Sequence, residues 1–110
     1  MLEKDFQKNL VKKIEARFPG AIVYKNESKK GLPDLTVLME GPFWALLECK
    51  RDSAAERASR NKEDLQSYWV NRADEIGFAR FINPDNEGDV LNALEQAFRA
   101  HRETRVSEPE

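Results

Sequence analysis

The chain has 110 residues, which is room for one domain, and 40% of them are hydrophobic, enough for a single core. It has one histidine, His101, and one cysteine, Cys49, which exclude an internal disulfide and a structural Zn²⁺ site with four nitrogen or sulfur ligands. Asp and Glu (20) and Lys and Arg (18) nearly balance at a net charge of −2, so an enzyme of this composition is expected to use carboxylates, lysine and a hard metal ion.

Charge and hydropathy limit the partners. The net charge is +3 over residues 1–51, −1 over 52–82 and −4 over 83–110, so the N-terminal half suits a polyanion. The longest apolar run, Phe43 to Leu47, is far shorter than the roughly 20 residues of a membrane span, and no secretory leader is visible. The glycines fit no P-loop or dinucleotide spacing. We expect a cytoplasmic protein without a membrane or nucleotide partner.

The first helix is predicted over residues 2–18, where apolar residues recur every four positions, and Pro19-Gly20 ends it. Residues 21–26 predict a short strand and residues 27–33 a polar loop. Two apolar runs, 34–40 and 43–50, flank Gly41-Pro42 and predict a hairpin.

In the second half, residues 51–60 are predicted to be a mobile, alanine-rich connector and residues 61–76 a helix. Residues 78–82 are predicted to form a strand, and residues from about 87 to 101 a last helix. The whole is interpreted as one α/β domain over residues 1–102. Residues 103–110 are polar and are predicted to form a disordered tail.

The hairpin places three charged residues together. The odd positions of both strands are apolar and should face the same buried side, so odd residues must pair with odd residues. This register sets Asp34 opposite or diagonal to Glu48 across a three-residue connection at 40–42. The other face then gathers Asp34, Glu48 and Lys50 at one end of the hairpin.

The first helix offers a third acid, because Glu3 falls within its apolar arc. If the helix packs on the face of the hairpin that carries Asp34 and Glu48, Glu3 can reach them. Converging carboxylates raise one another's proton affinity unless a cation joins them, and Mg²⁺ prefers oxygen ligands. Mg²⁺ is therefore the expected occupant.

The spacing of Pro33-Asp34 from Glu48-Cys49-Lys50 resembles the PD-(D/E)XK nuclease motif. Glu3, Tyr24-Lys25, Gly31-Leu32-Pro33-Asp34 and Gln66-x-x-Trp69 extend the resemblance, over about residues 3–82, to the virus-type replication-repair nuclease group (VRR-NUC). Archaeal-type Holliday junction resolvases are the neighbouring comparison. The resemblance implies a restriction-endonuclease-like αβββαβ core, with a mixed central sheet flanked by helices and a C-terminal helix added.

The resemblance also implies an activity, a Mg²⁺-dependent endodeoxyribonuclease in which Mn²⁺ can substitute. Asp34, Glu48 and the backbone carbonyl of Cys49 would hold the metal, with Glu3 binding it directly or through water. Lys50 would position the nucleophilic water, and Gln66 would orient water or phosphate. Phosphate contacts are expected from Lys25, Lys29, Lys30, Arg51 and Lys62.

The expected substrate is duplex or branched DNA, in particular Holliday junctions in repair and recombination, cut by a homodimer of phage origin. An inactive DNA-binding or assembly subunit with the nuclease fold is the alternative, and an interaction module with an acidic C-terminus is a third. In the simpler structural interpretations, Glu48 and Lys50 are an ion pair that closes a hairpin, Glu3 is a favourable charge at a helix start, and Gln66 is solvated.

Overall fold

The computed structural model describes residues 2–27 and 30–107. They form one four-stranded sheet, in the order β1-β2-β3-β4, with helices on both sides. The pairs β1–β2 and β2–β3 are antiparallel and β3–β4 is parallel. This mixed α/β sheet with a C-terminal helix confirms the predicted fold class. The elements are α1 (Glu3–Arg17), β1 (Ile22–Lys25), β2 (Leu35–Met39), β3 (Phe43–Cys49), α2 (Ser53–Lys62), α3 (Leu65–Ile76), β4 (Phe78–Ile82) and α4 (Glu87–Ser107).

The register of the β2–β3 hairpin is the predicted one. Leu35 pairs with Leu47 and Met39 with Phe43, which leaves the three-residue connection at 40–42. One further step along the same register sets Asp34 opposite Glu48. The odd positions are buried, apart from the half-buried Phe43, because one face of the hairpin is wholly apolar, and a slip by one residue would move all of them to the opposite face of the sheet.

The sheet has two covered faces with different helices. The odd residues of β2 and β3 pack with α1 and α4, around Leu10, Ile14 and Leu94. On the even face, a smaller cluster joins β3 and β4 to α3. The condition under which Glu3 was expected to reach the two acids, packing of α1 on the even face, is therefore not met. A helix's apolar stripe decides which of its own sides is buried, but it carries no preference between two apolar sheet faces.

Most of the segment predicted as a mobile connector, 51–60, is instead part of the helix α2, which begins at Ser53, and the following helix starts at Leu65 rather than at residue 61. The Asp52 side chain caps α2 by accepting a hydrogen bond from the backbone N–H of Ala55 at 2.8 Å. The Arg60 guanidinium pairs with the Glu56 carboxylate one turn away at 3.0 Å. These local contacts hold a helix that has almost no apolar side.

The last helix is longer than predicted, because α4 continues through Ser107. Residues 103–107, expected to be part of a disordered tail, are helical, and residues 108–110 lie outside the described part of the chain. Across residues 2–27 and 30–107, no helix has the length and apolar character needed to cross a bilayer.

Candidate metal centre

Two acids meet where β2 begins and β3 ends. The backbone N–H of Asp34 donates to Oε1 of Glu48 at 3.1 Å, and the backbone N–H of Cys49 donates to Oδ2 of Asp34 at 2.9 Å. Each carboxylate is thus oriented by a main-chain donor of the neighbouring strand. The structure brings Asp34, Glu48 and Lys50 to one end of the sheet, as the register predicted.

The carboxyl of Glu48 is buried, with only 1% of its side chain exposed. Burial, and next the nearby charge of Asp34, raise the pKa of Glu48 to about 8, while Lys50 opposes the shift. A hydrogen bond between the two carboxyl groups also favours the protonated form of Glu48. Burial and the neighbouring acid therefore favour the protonated form of Glu48 unless a cation neutralises the pair.

Lys50 is the cation of the site. Its Nζ lies 3.8 Å from Oε2 of Glu48, and only 13% of its side chain is exposed. Nζ also donates a hydrogen bond to Oε1 of Gln66 on α3. The backbone N–H of Lys50 donates to the carbonyl of Ile82 at 2.9 Å, which fixes the strand end against β4. The side chain is held by one acid and one amide rather than free in solvent.

The start of α3 positions Gln66. Asp64 caps this helix by accepting from the backbone N–H of Ser67 at 2.9 Å, and the Ser59 hydroxyl on α2 donates to both Asp64 oxygens, at 2.8 and 2.7 Å. Desolvation alone would raise the pKa of Asp64, but these hydrogen bonds and the nearby Lys50 and Lys62 lower it. The junction of α2 and α3 therefore presents Gln66 to Lys50.

Glu3 lies at the start of α1 and its side chain is exposed. Partial burial, and then the charge of Asp34, raise the pKa of Glu3, while Lys50 and Arg51 lower it. Glu3 thus interacts electrostatically with Asp34 although α1 packs on the other face. Among residues 2–27 and 30–107, however, no group of three or more His, Cys, Asp or Glu side chains could hold a metal ion.

The donor atoms present fit a hard cation. The main-chain hydrogen bonds described above use Oδ2 of Asp34 and Oε1 of Glu48. The second oxygens are Oδ1 of Asp34 and Oε2 of Glu48, and Oε2 lies 3.8 Å from Nζ of Lys50. The N–H and C=O of a strand residue point to the same side, so the Cys49 carbonyl points towards Asp34 as well. Two carboxylate oxygens and one carbonyl oxygen are ligands that suit Mg²⁺, which keeps several waters.

The predicted phosphate contacts are distributed unevenly. Lys25 ends β1 opposite Leu35, and its charge acts on Cys49. Arg51 follows Lys50 directly, is exposed and acts on Glu3. For the other three predicted contacts, the structure shows no interaction with the acid pair among the described residues. Lys62 is exposed at the end of α2 and Lys30 is exposed in the loop before β2. Lys29 lies outside the described residues.

Asn26 is a positioning residue that the sequence analysis missed. Its backbone N–H donates to the carbonyl of Asp34 at 2.8 Å, and its side-chain amide donates to the Pro33 carbonyl and the Thr36 hydroxyl, each at 2.8 Å. These bonds tie the residues before and after Asp34 to the end of β1. A single Asn after a predicted strand gives no such signal, whereas an Asp such as Asp64 directly before a helical pattern is a known N-cap signal.

Gly31 allows the loop before Asp34 to fold against α3. Its φ of +84° lies in the left-handed region, and a Cβ there would come 2.4 Å from Leu65. The Gly31-Leu32-Pro33-Asp34 segment is thereby pressed onto the start of the helix that carries Gln66.

Comparison of the chain with protein-family models, curated proteins and solved structures found no match.

Proposed function

We propose that the protein is a divalent-metal-dependent endonuclease that hydrolyses phosphodiester bonds in DNA. The observation that supports it is the burial of Glu48 beside a second acid, Asp34, with Nζ of Lys50 held 3.8 Å from Oε2 of Glu48. An ion pair that only closes a hairpin needs neither the buried carboxylate nor the second acid, because a buried charge costs more than a surface pair returns. A site that binds a cation needs both.

Asp34, Glu48 and the Cys49 carbonyl would hold the ion. When bound, a divalent ion supplies Lewis acidity and lowers the pKa of a bound water. Lys50, oriented by Glu48 and Gln66, brings positive charge to the phosphate that is being cleaved, where negative charge grows in the transition state. Gln66 can orient water or a phosphate oxygen, and the products would be a 5′-phosphate and a 3′-hydroxyl.

We also propose a substrate class and an oligomeric state. It assigns a preference for branched DNA such as Holliday junctions to a homodimer, because two sites related by two-fold symmetry suit a symmetric junction. It places the protein in the cytoplasm, the host cytoplasm if a phage encodes it, where a free thiol such as that of Cys49 stays reduced.

Cleavage assays test the activity. Labelled four-way junctions, flaps and plain duplexes are incubated with the protein and Mg²⁺ or Mn²⁺. The Asp34→Asn, Glu48→Gln and Lys50→Ala variants should lose about a hundredfold or more in rate, because each removes a charge from the centre. The matched controls are Glu40→Gln, at the other end of the same hairpin, and Lys13→Ala, which pairs with Glu87 on another surface.

The outcomes separate the candidates. A wild-type protein that binds these DNAs but cuts none with either metal would favour the inactive DNA-binding subunit. Cleavage by Glu48→Gln at the wild-type rate would contradict the proposed centre. Equal cleavage rates on junctions and plain duplexes would contradict the preference for branched DNA but not the nuclease activity. A monomer in analytical ultracentrifugation would contradict the homodimer alone.

A further inference from the structure

A lysine-lined groove of about 680 Å³ runs between α1 and the edge strand β1. Lys4, Lys8 and Lys12 line it from the helix and Lys25 from the strand. Asp5 and Glu15 also line it, so the charged residues of the groove sum to +2 in a chain whose net charge is −2. The groove thus carries charge of the opposite sign to the protein as a whole.

The helix lysines form a regular row. They are four residues apart, so successive lysines are about 6 Å apart along the helix axis and the row is about 12 Å long. All three are exposed, and within residues 2–27 and 30–107 none of them forms an ion pair. Lys13 on the same helix differs, because its Nζ pairs with Oε2 of Glu87 at 2.9 Å.

The strand side adds neutral donors. The N–H of Asn26 donates across to Asp34, so alternate N–H groups of β1 face β2 and those of Val23 and Lys25 face outward. Outward-facing main-chain N–H groups are common phosphate donors. Val23 and Lys25 share the sheet face that packs with α1, so their main-chain groups border the groove.

One end of the groove adjoins the acid pair. Lys4 follows Glu3, whose carboxyl interacts with Asp34. Lys25, on the opposite wall, pairs in register with Leu35, the residue after Asp34. From that end, the row of lysines leads away along α1 through Lys8 to Lys12.

We propose that this groove binds the sugar-phosphate backbone of a DNA strand that leads away from the cleavage site. The identity of the ligand rests on the proposed function. Phosphates of one strand follow one another every ~3.4 Å along a B-form axis, so a row about 12 Å long covers about four nucleotides. A regular row of lysines that form no ion pair, beside outward-facing main-chain N–H groups, suits the repeated phosphates of a nucleic-acid strand better than an acidic peptide.

Binding measured in EDTA tests the groove without cleavage. Fluorescence anisotropy of a labelled junction, over a range of NaCl concentrations, gives Kd and its salt dependence for Lys8→Gln, Lys12→Gln and the double variant. Each lysine removed should lower the slope of log K against log salt by about 0.9, and the double variant should bind about tenfold or more weakly at 0.1 M salt. Lys13→Gln is the matched control, with the same charge change on the same helix, and should bind as the wild type does.

The length of the DNA locates the contact. Shortening the strand on the groove side of the cut to fewer than four nucleotides should abolish the difference between the double variant and the wild type. Shortening the other side should leave that difference intact. Kd values and salt slopes of the double variant equal to those of Lys13→Gln would overturn the proposal. So would competition by polyglutamate at the same charge concentration as DNA, which would indicate an acidic-protein groove.

The two proposals fail in different ways. If no variant or wild type cleaves DNA while the lysine variants lose binding, the groove is supported and the nuclease activity is not. If cleavage depends on Glu48 while the lysine variants bind as the wild type does, the activity is supported and the groove is rejected.

Discussion

The two ends of the β2–β3 hairpin differ in whether their charged side chains are exposed to solvent. At the turn, Glu40 is exposed, and His101 contacts the Gly41 carbonyl at 3.1 Å and lies 5.4 Å from the Phe43 ring. At the opposite end, where no turn joins the two strands (the open end), Glu48 is buried against a second acid, Asp34. The turn end follows the rule that charges face water, and the open end breaks it in a way that lowers stability. Such a departure is expected where a protein binds something.

The largest expected effect is on the pH dependence of stability. Folded Glu48 keeps its proton up to about pH 8, whereas the unfolded chain releases it near pH 4.5. The free energy of unfolding of the metal-free protein should therefore fall as pH rises through this window, by up to about 1.4 kcal/mol per pH unit. Urea unfolding at a series of pH values measures the slope.

Matched variants assign this slope to one end of the hairpin. Glu48→Gln should flatten it, because glutamine cannot release the proton, and Glu40→Gln should leave it as in the wild type. If the two variants give the same pH profile, the burial of charge does not distinguish the two ends.

A smaller effect is expected from metal. A cation that binds the folded state alone stabilises it by about 2.7 kcal/mol at one hundred times its Kd, and Mn²⁺ or Mg²⁺ should raise Tm accordingly. Because the metal displaces the proton of Glu48, this stabilisation should grow as pH rises towards 8. Asp34→Asn and Glu48→Gln should abolish the response in a thermal melt, and Glu40→Gln should keep it. An unchanged Tm for the wild type in both metals would argue against the centre.

The smallest effect is expected at the turn. Gly41 has φ +121°, and a Cβ there would lie 3.1 Å from the His101 ring. Gly41→Ala should therefore lower the free energy of unfolding by about 1 kcal/mol or somewhat more, as denaturant melts would show. Its cleavage rate on junctions, measured below Tm, should match that of the wild type. A loss of cleavage at full folding would show that the two ends are coupled.

The register of the β2–β3 hairpin was predictable because its apolar pattern is compatible with one pairing of the two strands. Strict alternation of apolar residues in two adjacent strands sets the register, and the register sets Asp34 against Glu48. The side of the sheet that α1 covers was not predictable, since both faces of β3 carry apolar residues such as Leu46 and Leu47. Only the crossover from β3 to β4, which brings α3 to the even face, decides it.

The parts of the site on helices were harder to predict. Of the α2 residues only Ser59 is buried, so the helix has no apolar stripe to reveal it, and Asp52 with Ala55 is a modest capping signal. The row Lys4, Lys8 and Lys12 is visible as a spacing, but nothing local indicates that an edge strand lies beside it. Long-range placement of that kind comes from tertiary packing and not from pattern.

The reactivity of the Cys49 thiol can be used to measure local opening of the structure around the acid pair. The residue is 1% exposed, and burial, followed by the charges of Asp34 and Glu48, raises the pKa of the thiol, so the reactive thiolate is scarce in the native state. Because Cys49 lies in the main core cluster, alkylating reagents can reach it only when the packing around this end of the hairpin opens. The rate of alkylation then measures how often this end opens, and a single-cysteine chain needs no other label to follow it.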